Sequence, residues 1–246
     1  MNDYVRLRKL IDSDAAGPAV RRWARDFMTG VLAGRAEVGA VRHPLGFLCF
    51  PAWRDGRLGV CVHIWTDGLR SHPTTSAMHA HSWDLLSVVL YGEVGNEILE
   101  VENAADRPTH RIFEIHSGAD GDVVRATERL VRYRTRSSRH FRAGEVYTLP
   151  HGVFHLSDVR GEAATVVLGE VRRGRPDRSL GTLATTDHRV HRTGCSPTET
   201  RRAAQTVLNH LCLPTPPAPP AAIPQGDPTL PEQLEDRCEQ ATLRTW

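Results

Sequence analysis

Between residues 46 and 171 the apolar side chains recur at every second position, in short runs that each end at a turn residue. The runs are 46–51, 59–65, 77–83, 85–91, 95–102, 110–116, 129–136, 144–149, 153–159 and 164–171. A period of two places alternate side chains on opposite faces of a strand, so each run has one face for a core and one for something else. Asp55-Gly56, Gly92, Gly118, Gly121, Gly144 and Gly161 supply the punctuation. Many short strands separated in this way fold as a sandwich or barrel, an all-β core. On one of them Arg132, Arg134 and Arg136 alternate with Val131, Tyr133 and Thr135, which directs the guanidinium groups to water unless a wide barrel turns one inward to bind a carboxylate.

The flanks have a different period. Val20, Trp23, Ala24, Phe27, Met28, Val31 and Leu32 form one apolar stripe at helical spacing, with Pro18 suited to the first helical position. A shorter helix precedes it over 3–11. Beyond the strands, Ser196-Pro197-Thr198-Glu199 is a capping box that starts a helix over about 197–212, with Ala203, Ala204, Val207, Leu208 and Leu211 on one face. Residues 213–231 are proline-rich and are expected to be extended or disordered, and the segment ending at Trp246 suits a short docking helix. The expected organisation is an N-terminal helical extension (1–44), a barrel (45–175) and a C-terminal extension with one helix and a proline-rich tail (176–246).

Two motifs carry chemistry. The first is His79-Ala80-His81; the second runs from Gly144 through Pro150 and Gly152 to His155. Residues two apart on a strand share a face, so an H-x-H pair can close on one ion at the roughly 2.0–2.1 Å of a metal–imidazole bond. A third, distant histidine completes a facial set that leaves open positions. A lone H-x-H is usually incidental; the second motif, in order, changes that reading. His151 and His155 have the i, i+4 spacing of a helical metal pair, but Pro150 and Gly152 argue against a helix there.

Position by position, Gly68, His79, His81 and Gly92, then Gly144, Pro150, Gly152 and His155, resemble the two motifs of the cupin superfamily. The resemblance covers roughly residues 45–175 and implies a double-stranded β-helix (jelly-roll) barrel with helical extensions. The glutamate usual in the first motif falls on Leu85 here, and Asp84 is out of phase with the histidines on a regular strand. A three-histidine site of His79, His81 and His155 follows, similar to that of cysteine dioxygenase-like (thiol dioxygenase) cupins. That resemblance implies Fe(II), with Ni, Mn or Zn as alternatives, and a dioxygenase inserting oxygen into a thiol, an amino-acid-like compound or another small acid, in specialised metabolism. The other readings are a non-catalytic ligand-binding cupin and a metal-dependent isomerase or lyase.

Parity outlines the pocket. Trp83, Leu85 and Ser87 share the inward face with the histidines, and Tyr91 follows unless a bulge intervenes. On the preceding strand either Cys61, His63 and Trp65 or Val60, Val62 and Ile64 face inward, and composition favours the second, apolar set. Arg54 and Arg57 precede that strand, roughly where thiol dioxygenases carry a carboxylate-binding arginine. Tyr147 either orients substrate or fills the barrel mouth. Glu170 and Arg172 stand where that family carries a histidine and a tyrosine, which makes Glu170 a second candidate catalytic group and argues against cysteine itself as substrate.

Charge and cysteine content narrow the partners. A formal net charge of +2 gives no electrostatic case for nucleic acid. Five scattered cysteines without C-x-x-C spacing read as reduced thiols of a cytoplasmic protein. No run approaches 18 apolar residues, so no membrane partner is expected. The expected partners are a small-molecule substrate and O2. Barrels resembling this one often pair through edge strands, which would make a homodimer.

Overall fold

The computed structural model describes residues 1–13, 16–69, 75–118, 121–172 and 174–212. The proline-rich run and the closing segment to Trp246 lie outside the described residues. Two helices open the chain, α1 (Asp3–Ile11) and α2 (Ala16–Leu32). Pro18 sits within the first turn of α2, where a backbone N–H has no intrahelical partner to lose. The strands are β1 (Val41–Arg42), β2 (Leu48–Asp55), β3 (Leu58–Trp65), β4 (His79–Ala80), β5 (Trp83–Tyr91), β6 (Glu93–Asn103), β7 (His110–Gly118), β8 (Gly121–Arg142), β9 (Val146–Leu149), β10 (His155–Asp158), β11 (Ala163–Val171), β12 (Asp177–Thr182) and β13 (His188–Val190). The last helix is α3 (Pro197–Cys212). Its capping box is formed: Glu199 N–H donates to Ser196 Oγ at 3.2 Å and Ser196 N–H to Glu199 Oε2 at 2.8 Å.

The strands form two antiparallel sheets in the order β1-β2-β3-β11-β5-β9 and β13-β8-β6-β10-β4-β12-β7. The long β8 pairs with β6 through its second half and with β7 through its first, so the second sheet curls back on itself. This is the all-β jelly-roll barrel with terminal helices that the strand pattern and motif order imply. The second sheet reaches further along the chain than residue 175, because β12 lies between β4 and β7 and β13 beside β8. In sequence, Arg178, Gly181 and Thr182 dilute the alternation of β12, and burial between two neighbours compensates.

The main core is outside the barrel. Val20, Trp23, Ala24, Met28 and Val31 of α2, with Leu7 of α1 and Ala203, Ala204 and Val207 of α3, cover the outer face of the first sheet. That face offers Leu48, Phe50, Val60, Val62, Ile64, Val88, Leu90, Val166 and Leu168, most of them fully buried. Full burial of each such side chain contributes about 1.5–3 kcal/mol. The expectation that Val60, Val62 and Ile64 face inward is therefore corrected. The helices turn the outer face into the apolar core, and Cys61, His63 and Trp65 are left for the interior.

Candidate metal centre

β4 and β10 are neighbours, and their register sets His155 directly opposite His79. His81 lies just past the end of β4, in the gap before β5. Its carbonyl accepts from Gly152 N–H at 2.8 Å. Next to it, the carbonyl of Ser82 accepts from Arg172 N–H at 2.9 Å, and Ser82 N–H donates to Asp177 Oδ1 at 2.6 Å. Gly152 makes this latch with φ +77°, a left-handed conformation open to glycine at no steric cost. The second motif therefore places His155 and fixes His81.

One nitrogen of each of the three side chains lies within 4.8 Å of those of the other two. His79 Nδ1 donates to the Ala77 carbonyl at 2.8 Å and His155 Nδ1 to the Val153 carbonyl at 3.0 Å. Those bonds commit the ring protons to Nδ1 and leave both Nε2 lone pairs unprotonated, the form a metal takes. Nε2 of His79 and of His81 are 3.2 Å apart. Two imidazole nitrogens on one ion are about 2.9–3.4 Å apart when each is at about 2.0–2.1 Å and they subtend a near-right to tetrahedral angle. Burial, then the neighbouring His81, brings His79 down to about 3; burial, then His79, brings His155 to about 3; burial also pulls His81 well down. All three are neutral at neutral pH. The set fits a divalent ion.

Asp84 is not part of it. Its carboxylate accepts from the backbone N–H of His151 at 2.8 Å, meets the His151 ring at 2.7 Å and binds Arg172 Nε at 2.7 Å. Burial alone would raise its pKa, but His151 and Arg172 hold it down at about 2. Leu85, at the position usual for the glutamate, is 6% exposed and lines the cavity.

His79 and His81 lie in the wall of a cavity of about 510 Å³, within the range of small-molecule sites, and His155 is buried opposite His79 on β10. Trp83 lines it and stacks on His81 with centroids 4.2 Å apart. Gly169 leaves room for that ring: a Cβ there would meet Trp83 Cε3 at 3.0 Å. Arg54 and Arg57 lie on the same cavity, both exposed. His43, Phe47, Trp53, Arg178 and Arg192 also line it. None of these five was singled out from the sequence, because the segment before β2, β2 itself, β12 and the residues just after β13 bring them in by tertiary contact alone.

Four expected site residues lie elsewhere. The register shift opposite Ala164 and Thr165 is a bulge that turns Tyr91 out of phase, and Tyr91 stacks on His210 of α3 at 4.1 Å. Glu170 is corrected as well. Val167, Gly169 and Val171 face the cavity from β11, so the alternation sends Glu170 to the other face, where it pairs with Arg172 at 3.3 Å. Tyr147 is buried against Phe141 with ring centroids 4.8 Å apart and lines a separate cavity of about 390 Å³. Burial pushes its hydroxyl up in pKa, and the polar side chains of Ser87 and Asn96 beside it pull it partly back. Ser87 is fully buried beside it and lines neither cavity.

No family model and no curated protein matches this sequence. Solved structures similar to it include a cupin superfamily protein from Desulfitobacterium hafniense DCB-2, at 10% identity over 51% of this chain and 78% of that one, TM-score 0.31. A second is an RmlC-like cupin from Shewanella frigidimarina NCIMB 400, at 12% identity over 55% and 86%, TM-score 0.31. A third is hydroquinone 1,2-dioxygenase from Sphingomonas sp. TTNP3 with 4-hydroxybenzoate bound, at 15% identity over 50% and 64%, TM-score 0.32.

Proposed function

We propose that this protein is a mononuclear, Fe(II)-type dioxygenase acting on a small acid or thiol. The observation that carries the reading is the convergence of three neutral imidazoles, with no carboxylate among them, two of which, His79 and His81, stand in the wall of a cavity sized for a small molecule. Fe(II) held by His79, His81 and His155 would supply the redox chemistry for oxygen insertion. An all-neutral donor set leaves the charge of a dication uncompensated, which favours an anionic substrate group beside it. Arg54 and Arg57 offer a carboxylate the bidentate geometry of guanidinium. Trp83, held flat on His81, and Phe47 supply walls against which a planar or apolar body rests. Leu85 and Val167 add apolar wall to the cavity.

The partners in this reading are the small substrate and O2. Free thiols at Cys49, Cys61, Cys195 and Cys212 support a reducing compartment, the cytoplasm. No helix among the described residues is long and apolar enough to cross a membrane. The test is oxygen uptake by anaerobically iron-loaded protein against a panel of small carboxylic acids and thiols. The expected result is substrate-dependent uptake with iron, none with zinc and none in His155→Ala. Turnover by the zinc form without oxygen consumption would replace this reading with an isomerase or lyase.

A further inference from the structure

A second set of ligand-type side chains lies on the opposite wall of the same cavity and takes no part in the three-histidine site. Cys49 of β2 faces His63 of β3 in the sheet register, and Cys61 is two residues before His63 on the same face. One sulfur or nitrogen of each lies within 4.8 Å of those of the other two, and all three line the cavity. Directly opposed antiparallel residues have Cβ atoms about 4.5–5.5 Å apart, so a cross-strand pair with an i, i+2 neighbour is a compact three-point cradle. The His63 ring is held by Phe47, stacked at 4.3 Å, and by Trp65 edge-on at 6.3 Å.

We propose that Cys49, Cys61 and His63 form a second metal site, a thiolate–imidazole site for a Zn(II)-class ion. Two sulfurs at about 2.3 Å from one tetrahedral ion are about 3.8 Å apart, so the present spacing closes by rotamer-scale adjustment. Two thiolates neutralise a divalent ion, and thiolate selects borderline and soft ions where the all-imidazole set does not. The fourth position opens into the cavity. Binding holds both sulfurs as thiolates and releases whatever proton the pair still carries. The outer face of β3 carries Val60, Val62 and Ile64, with Leu58 packed beside them, into the core under the helices, so the site sits on a wall fixed from behind.

Cobalt(II) is the probe, added anaerobically under a non-thiol reductant, with absorption and cobalt per chain as readouts. A thiolate-to-cobalt charge-transfer band reports sulfur ligation, which the three-histidine set cannot give, and the cysteine variants assign it to this site. The wild type is expected to hold two ions per chain and show the band. Cys61→Ser should lose the band and one ion, while His155→Ala should lose one ion and keep the band. Cys49→Ser is the second variant, and Cys195→Ser should leave the band intact; circular dichroism checks that each is folded. Absence of the band from the wild type, or its survival in the Cys49→Ser/Cys61→Ser double variant, overturns the proposal.

Discussion

The two faces of β3 have opposite occupations. Val60, Val62 and Ile64 are fully buried under the helices, whereas Cys61 and His63, the residues between them, line an open cavity. In a barrel standing alone the interior would have to supply the core. Here the terminal helices move most of it to the outside, and the interior is relieved of part of that task. Polar and metal-ligating side chains can then occupy inward positions at low cost to the fold. The difference teaches that the extensions are part of the site's design, since they stabilise the wall that His63 and the cysteines stand on.

The largest expected effect breaks the outer face. Phe50 is fully buried, edge-on to Phe27 of α2 at 6.5 Å. Phe50→Ala should cost about 3–5 kcal/mol in chemical denaturation, while the folded fraction keeps its metal. Metal loss in the folded protein, without loss of stability, would show that the two faces are not separable as described.

A mid-sized effect sharpens the inner face. Leu85→Glu places a carboxyl at the cavity wall by the histidines. Without metal it should lower stability by about 1–3 kcal/mol, the cost of a buried polar group lacking a partner. A divalent ion should restore that loss and shift metal preference. A thermal melt with and without metal checks it. If the variant is unchanged in both conditions, position 85 does not face the ion.

The smallest effect lies behind the site. Because the Asp84 carboxyl is depressed in the fold, its pairing stabilises in full above the ordinary carboxylate value of 3.8 and is lost as pH falls through about 2. The stability gap between wild type and Asp84→Asn should be constant from neutral pH to about 4 and shrink below it. A gap that persists unchanged into strong acid would mean that the pairing with His151 and Arg172 contributes nothing.

Local signals carried much of this architecture. The stripe of α2 and the capping box of α3 are interactions within a few residues, and they form as the sequence implies. The positions that differ depend on partners distant in the chain. Which face of β3 points inward is decided by α2, more than twenty-five residues upstream. The bulge that turns Tyr91 arises in its pairing with β11, and the phase of Glu170 follows from the same pairing. β12 has too little alternation of its own to be read as a strand, yet it pairs with β4 at Ser179 and His79.

The central claim is that His79, His81 and His155 hold one ion. Metal content after anaerobic iron loading and desalting, in wild type and His155→Ala, each also carrying Cys61→Ser so that a single ligand set remains, tests it directly. One iron per chain in the parent and none in the His155→Ala protein, both folded, is the expected result. Equal iron in the two, or none in either, would contradict it.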